Sequence, residues 1–407
     1  MERALTTPSP AAAWLDGLLE RAVADGVMDL HLEPDAGGLW VRLRGAQGWQ
    51  EERVPPEIPA SELGSRIKVL ARLDPNERRL PLDGRLSWRQ GDRAADFRVA
   101  TLPSLHGEVL ALRVLQRSAE PPPLGTLGLN AVAEARLRAW LAQQRGLVVI
   151  AGPTGAGKTT TAYAALGCVD ASSSKIMTVE DPVEFHREGL VQIAVDPDQG
   201  LTFAGVLRAV LRQDPDVIFV GEVRDAATAA VAVQAALTGH GVVATLHASS
   251  VEGAVTRLLD LGVEAFLLAD ALAGVVAQRL VPRLCPACSV VEPWPRELAR
   301  TEPGDIAAGG SAAWLQPRAR GAGCARCAGR GVTGRMGFFE VVEISARIRA
   351  ALVRPDALAD LRSAIADAGG GTLRAQVLSA ARRGEIGVAE AWRWIDEDGA
   401  AGSGRAG

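Results

Sequence analysis

Two rhythms of apolar spacing divide the chain. Between residues 27 and 116 apolar and polar positions alternate in short runs bounded by Gly and Pro: DLHLEP (29–34), GGLWVRLRG (37–45), GRLSWRQG (84–91), AADFRVATLP (94–103) and EVLALRVLQR (108–117). Alternation puts successive side chains on opposite faces, the pattern of half-buried strands. SELGSRIKVLARL (61–73) repeats its apolar residues at helical spacing instead. These runs predict a small α+β domain with a mixed sheet over 27–116. Residues 1–26 read as a short lead and an amphipathic helix over about 11–25.

The second rhythm begins at about residue 130. A helical run over 130–144 leads into the apolar strand GLVVIA (146–151). KIMTVED (175–181), VIFVGEV (217–223) and GVVATLHA (241–248) then alternate with helical stretches at 203–213, 225–238, 251–261 and 264–279. Apolar strands alternating with helices predict an α/β fold with a parallel sheet and crossover helices. RSAEPPPLGTLGL (117–129) is a Pro- and Gly-rich linker between the two parts and the place for a hinge. Residues 283–330 interrupt the pattern as a local insertion, 346–396 return to short helices, and GAAGSGRAG (399–407) reads as a disordered tail.

Composition narrows the function classes. No apolar run reaches the roughly 18 residues of a membrane span, and the first residues lack a charged-then-apolar signal layout. The expectation is a cytoplasmic chain whose membrane link, through a partner, is peripheral. Net charge is −4 and aromatics are 4%, which speaks against a nucleic-acid motor with a basic, stacking channel.

AGPTGAGKTTTAYAALGCVD (151–170) follows the GLVVIA strand. Gly152, Gly157, Lys158 and Thr159 satisfy GxxxxGK[ST], with a strand before and a helix after, the context in which that spacing holds phosphate. Glycines let amide N–H groups turn toward a β-phosphate, and the helix start adds positive potential. The expected ATP-contacting set is Gly152, Pro153, Thr154, Gly155, Ala156, Gly157, Lys158, Thr159 and Thr160. Lys158 would bridge the β- and γ-phosphates, and the Thr159 hydroxyl would hold Mg2+.

Such a loop needs an acidic partner. DPDVIFVGEVRD (214–225) places Glu222 just past its strand, where a carboxylate can act as general base, whereas Asp216 precedes the strand. A solvated strand-end acid is the plainer reading of the same residue. TVEDPVEF (178–185) adds Glu180, Asp181 and Glu184, and LTGHGVVATLHA (237–248) adds His240 and His247. Strand ends line the ligand crevice of α/β sheets, so Glu184 and His247 can meet nucleotide, Mg2+ or water. Glu180 or His240 can equally be caps or core hydrogen-bonding groups. Four of five cysteines form two CxxC pairs, Cys285/Cys288 and Cys324/Cys327, which in a cytosolic chain argues for metal over disulfides. Cys168 reads as a small buried apolar residue.

The order AGPTGAGKTT, TVEDPVEF, GLTFAGVLRAVLRQDPDVIFVGEVRD, ALTGHGVVATLHA, AQRLVPRLCPAC closely resembles the secretion ATPase superfamily. The nearest branches are the type II secretion ATPase (its E component) and the type IV pilus assembly ATPase. DLHLEP, RIKVLARLDPNERRLPLDGR and FRVATLPSLHGEVLALRVL resemble the family's second N-terminal domain, so the likeness covers about residues 14–396. It implies a PAS-like α+β domain at 27–116 and a RecA-like P-loop ATPase domain at 130–396. Within the latter it implies a zinc-binding insertion at 283–330 and C-terminal helices at 346–396, with a tail at 397–407.

Carried over by position, the resemblance implies that Glu222 is the catalytic Walker B acid. Glu180, Asp181 and Glu184 form the Asp box, with Glu184 in the catalytic set, and His247 is the sensor-like residue of the His box. Arg98 and Arg113, with Arg85 as a further candidate, reach the γ-phosphate at a neighbouring subunit's site. Four thiolates suit tetrahedral Zn2+ and leave no open position, so the site is structural; a redox role for the CxxC pairs is the alternative. The family further implies a homohexamer at the cytoplasmic face of the inner membrane, working with a membrane-anchored docking protein and a platform protein. Before DLHLEP only about 25 residues stand where larger members carry a separate docking domain. A non-hydrolysing binding module is the remaining alternative, and intact Lys158, Thr159 and Glu222 speak against it.

Overall fold

The computed structural model describes residues 9–45, 48–91, 93–115, 121–294, 317–354, 358–368 and 371–393. The lead at 1–8, the linker residues 116–120, the centre of the insertion (295–316) and the tail at 397–407 lie outside the described residues. The chain divides into two units, Met1–Ala119 and Glu120–Gly407.

In the first unit, helix α1 (Pro10–Ala24) starts where Ser9 accepts a hydrogen bond from Ala12 N–H and Pro10 fills the first turn, whose N–H groups need no helical partner. Strands β1 (Asp29–Asp35), β2 (Gly38–Gly45) and β3 (Gly48–Arg53) precede helix α2 (Ala60–Leu70), and β4 (Leu82–Gln90), β5 (Arg93–Ser104) and β6 (Gly107–Leu115) follow it. The six strands run in the order β3-β2-β1-β6-β5-β4. Every pairing is antiparallel, so the expected mixed sheet is corrected. Helix residues Leu15, Leu18, Leu19, Leu63 and Ile67 and strand residues Leu30, Leu32, Val41, Phe97, Val99 and Leu112 share one core. Strand β3 escapes sequence patterning because GWQEER holds one large apolar residue, Trp49, and that residue is exposed.

The second unit opens with α3 (Ala131–Ala142), β7 (Gly146–Ala151), α4 (Lys158–Leu166), β8 (Ile176–Glu180) and β9 (Leu190–Ala194). It continues with α5 (Phe203–Val210), β10 (Val217–Val220), α6 (Ala226–Leu237), β11 (Gly241–Leu246), α7 (Val251–Asp260), α8 (Ala265–Ala271) and β12 (Leu272–Leu284). The short pair β13 (Val290–Val291) and β14 (Arg318–Ala319) precedes β15 (Val332–Glu343), α9 (Ala346–Leu352), α10 (Leu358–Ala368) and α11 (Leu373–Arg382). Seven strands form the sheet β15-β12-β7-β11-β10-β8-β9. All its pairings are parallel except β12 with β15. Strands β8, β10 and β11 are buried along their whole length, as a parallel sheet covered on both faces requires.

The expected helix over 264–279 is corrected. It ends at Ala271, and Leu272–Leu284 is a strand between β7 and β15. Burial on both faces removes the alternation that marks a strand, and a continuous apolar run cannot be told from a buried helix by period alone. The backbone shows what decides it: a Cβ on Gly274 would lie 2.3 Å from the Trp140 ring, so a bare backbone lets α3 pack against the strand.

Candidate nucleotide site and tetracysteine centre

The phosphate loop leaves β7 at Ala151 and enters α4 at Lys158. Gly155 and Gly157 have φ of 77° and 83°, in the left-handed region that side chains disfavour. A Cβ on Gly152 would lie 2.8 Å from the Ala156 Cβ and from the Gln278 carbonyl oxygen. The cradle is therefore shaped by bare backbone, which suits close approach of a phosphate. Lys158 Nζ donates to the carbonyls of Gly152 at 2.9 Å and Pro153 at 3.1 Å. Burial pulls its pKa below the ordinary lysine value, against the opposing pull of Glu222 and Glu184; Arg279 adds to the lowering. Glu184 is raised by burial, while a hydrogen bond from the Thr159 hydroxyl and the Lys158 charge oppose the rise. Lys158, Thr159, Glu184 and Glu222 thus share one electrostatic neighbourhood.

Glu222 follows β10 by way of Gly221, whose N–H donates to Val179 O of β8 at 2.8 Å. Its Oε1 lies 2.8 Å from His247 Nε2, and its Oε2 accepts from Arg224 Nε at 2.6 Å. His247 stands just past β11, the strand between β7 and β10. Parallel order therefore delivers the phosphate loop, Glu222 and His247 to the same edge of the sheet. Arg224, the second side chain on Glu222, carries little signal in the sequence beyond its place two residues on in VGEVRD.

The Asp box splits by burial. Glu180 is 1% exposed, and its Oε1 accepts from the hydroxyls of Tyr163 and Thr178, each at 2.6 Å. Burial raises its pKa. Gln192 Nε2 donates to Tyr163 Oη at 2.5 Å, which ties β9 to α4 and β8. Glu180 is a core hydrogen-bonding group, one of the two readings open from sequence. His240 lies before β11, at the opposite end of the strand from His247, and its Nδ1 sits 3.1 Å from Ala235 O. Asp216 accepts from Lys175 N–H at 2.7 Å, joining β8 to β10 at the end away from the loop. Asp225 caps α6 through Thr228 N–H at 2.8 Å.

Arg85, Arg98 and Arg113 belong to the N-terminal unit. They are directly opposed on β4, β5 and β6, and Asp29 on β1 continues the row. Arg113 Nε donates to Asp29 at 2.8 Å, and Arg98 lies 3.7 Å from Asp83. Like charges directly opposite repel, so this row is held by its acidic neighbours.

The four paired cysteines converge. Their sulfurs all lie within 4.8 Å of one another, with Cys285–Cys324, Cys288–Cys327 and Cys324–Cys327 each at 3.8 Å. That is the edge of a tetrahedron with Zn–S bonds of about 2.3 Å, and is far beyond the roughly 2.05 Å of a disulfide. Cys327 Sγ accepts from the N–H groups of Cys324 at 3.2 Å and Gly331 at 3.1 Å. These bonds hold its thiol below the usual range although burial pushes the other way. The donor set fits Zn2+. Cys168 stands apart, half-buried and within 3.1 Å of Arg138.

A parallel sheet that carries a phosphate loop on one strand and a carboxylate on a near neighbour defines a P-loop ATPase. Sequences described as type II/IV secretion system protein match residues 5–393, and the chain belongs to that family: it is a secretion-system ATPase. The chain is 44% identical to type II secretion system protein E of Klebsiella pneumoniae over 346 residues, 85% of this chain and 68% of that one. To type II secretion system ATPase E of Vibrio cholerae it is 42% identical over 336 residues, 82% of this chain and 65% of the relative. Among solved structures, the Legionella pneumophila ATPase DotB matches with a TM-score of 0.65 at 21% identity, over 98% of both chains. The pilus retraction motor PilT with bound ADP matches with a TM-score of 0.65 at 23% identity, over 93% of this chain and 96% of that one. These structures bear out the α/β fold. Among the described residues no helix is long and apolar enough to cross a membrane.

Proposed function

We propose that this chain is the motor subunit of a type II secretion or type IV pilus assembly machine, working as a homohexamer. One observation supports this most: Glu222 sits beside His247 at the sheet edge that carries the phosphate loop, with Lys158 within its electrostatic reach. In this reading the amides of residues 152–160 and Lys158 hold the β- and γ-phosphates. The Thr159 hydroxyl would hold Mg2+, which when bound would neutralise charge on the transferring phosphoryl group. Glu222 takes a proton from the attacking water as the water oxygen bonds to the γ-phosphorus and the bond to the β-phosphate oxygen breaks, releasing ADP and phosphate. His247 Nε2 fixes the orientation of the Glu222 carboxylate, and Glu184 is held near Thr159.

Arg98 and Arg113 of a neighbouring subunit bring positive charge to the γ-phosphate, so each site is completed by another chain. The tetracysteine centre is a structural zinc site, as in the secretion and pilus-assembly branches. The linker at 117–129 is the hinge through which hydrolysis reaches an inner-membrane platform protein, and a membrane-anchored docking protein holds the motor at the cytoplasmic face. The test is ATP turnover by wild type and Glu222→Gln in samples of matched assembly state. Hydrolysis by wild type and loss in the variant, with nucleotide still bound, supports the reading; equal rates overturn it.

A further inference from the structure

Strand β12 outruns its neighbour. Ala277 pairs with Ala151 at the end of β7, and β12 then continues to Leu284 while β7 gives way to the phosphate loop. The first residue past the pairing, Gln278, is 1% exposed. Its Nε2 donates to Ala156 O at 2.6 Å, from a position 122 residues away in sequence. Its own carbonyl packs where a Cβ on Gly152 would intrude, at 2.8 Å, and Leu280 Cδ1 lies 3.1 Å from the Cβ position of Gly157. Three points along the loop therefore rest on two side chains and one peptide of β12.

Ala156 stands between Gly155 and Gly157, both left-handed and both free to relax elsewhere. A loop of that kind holds its amides forward only if something fixes its carbonyls behind. We propose that Gln278 is a positioning residue for nucleotide binding: by holding the Ala156 carbonyl, it keeps the phosphate loop in the conformation that binds nucleotide. The inference rests on the loop being the nucleotide site. A buried carbonyl left unpaired costs about 1–3 kcal/mol, so loss of the donor penalises this one conformer and lowers its population. Apparent affinity falls in proportion to the competent fraction, while the chemistry of the filled site is unchanged.

The experiment compares full-length wild type, Gln278→Met, Gln278→Glu and Lys158→Ala, each checked for melting temperature and bound zinc. ADP affinity is read by fluorescence titration and ATP turnover by phosphate release. Gln278→Met keeps the volume and removes the donor; Gln278→Glu sets a second acceptor against the Ala156 carbonyl. The expected result is a rise of roughly tenfold in Kd and KM for Gln278→Met, a larger rise for Gln278→Glu, and kcat at saturating ATP within about twofold of wild type. Affinity within twofold of wild type in both variants, with Lys158→Ala defective, overturns the role of Gln278 and leaves the site standing. A parallel fall in melting temperature, zinc content and kcat makes Gln278 a folding residue and also overturns it. If Lys158→Ala binds normally, the loop is not the nucleotide site and both readings fall.

Discussion

Tyr163 is the chain's only tyrosine, and it sits fully buried on α4 with its hydroxyl on Glu180. Burial, and then the Glu180 charge, push its phenol far above the ordinary value near 10. The folded pKa lies above the unfolded one, so the contribution to stability is complete below the unfolded pKa and is lost as pH rises beyond it. Each pH unit of that rise costs about 1.4 kcal/mol, so alkaline titration from pH about 10 to about 12 removes on the order of 3 kcal/mol. That is a large part of the net stability of an ordinary domain. The assay is the phenolate absorbance, uncomplicated by a second tyrosine, followed with far-ultraviolet circular dichroism. Expected is no phenolate signal while the helices persist, then ionisation and unfolding together. A phenolate titrating near pH 10 in a still-folded protein refutes the buried Tyr163–Glu180 contact.

Cys285→Ser should bring bound zinc from near one per chain toward none and lower the melting temperature, with ADP affinity unchanged; metal analysis finding no zinc in wild type refutes the site. Arg113→Ala should cut ATP turnover on the order of 10³-fold while nucleotide affinity holds, as expected for a group that meets the phosphoryl charge in the transition state. A joint fall in affinity and rate would instead make Arg113, which bonds Asp29 at 2.8 Å, a binding or folding residue.

The phosphate loop was legible because its spacing, strand and helix are all local. The cysteine centre was legible because two CxxC pairs declare their chemistry without their fold. The strand at 272–284 was not, since sequence shows its apolar residues but not the neighbours on both sides that bury them. The edge strands β15 and β9 have one neighbour each, and β9 is five residues long with none of them buried, so neither leaves a clear apolar run to read. His240 and His247 look equivalent in the sequence, yet β11 carries them to opposite ends of the sheet. Glu180 and Glu184 are four residues apart, and their partners separate them: Tyr163 and Thr178 for the carboxylate serving the core, Thr159 for the other. Gln278 carried no signal at all, because its task is set by which strand lies next to β7.

The tetracysteine centre has a further consequence for how the protein can be handled. Leu284 at the end of β12 faces Val332 at the start of β15, so the cysteines close an antiparallel ladder at the point where the chain departs and returns. The feet of the excursion are fixed by sulfurs 3.8 Å apart. Doubling the stretch between Ser289 and Gly323 costs only about 0.6 kcal/mol in closure entropy. A reporter peptide spliced into that stretch would therefore mark the protein while sparing both chain ends and the sheet that carries the phosphate loop.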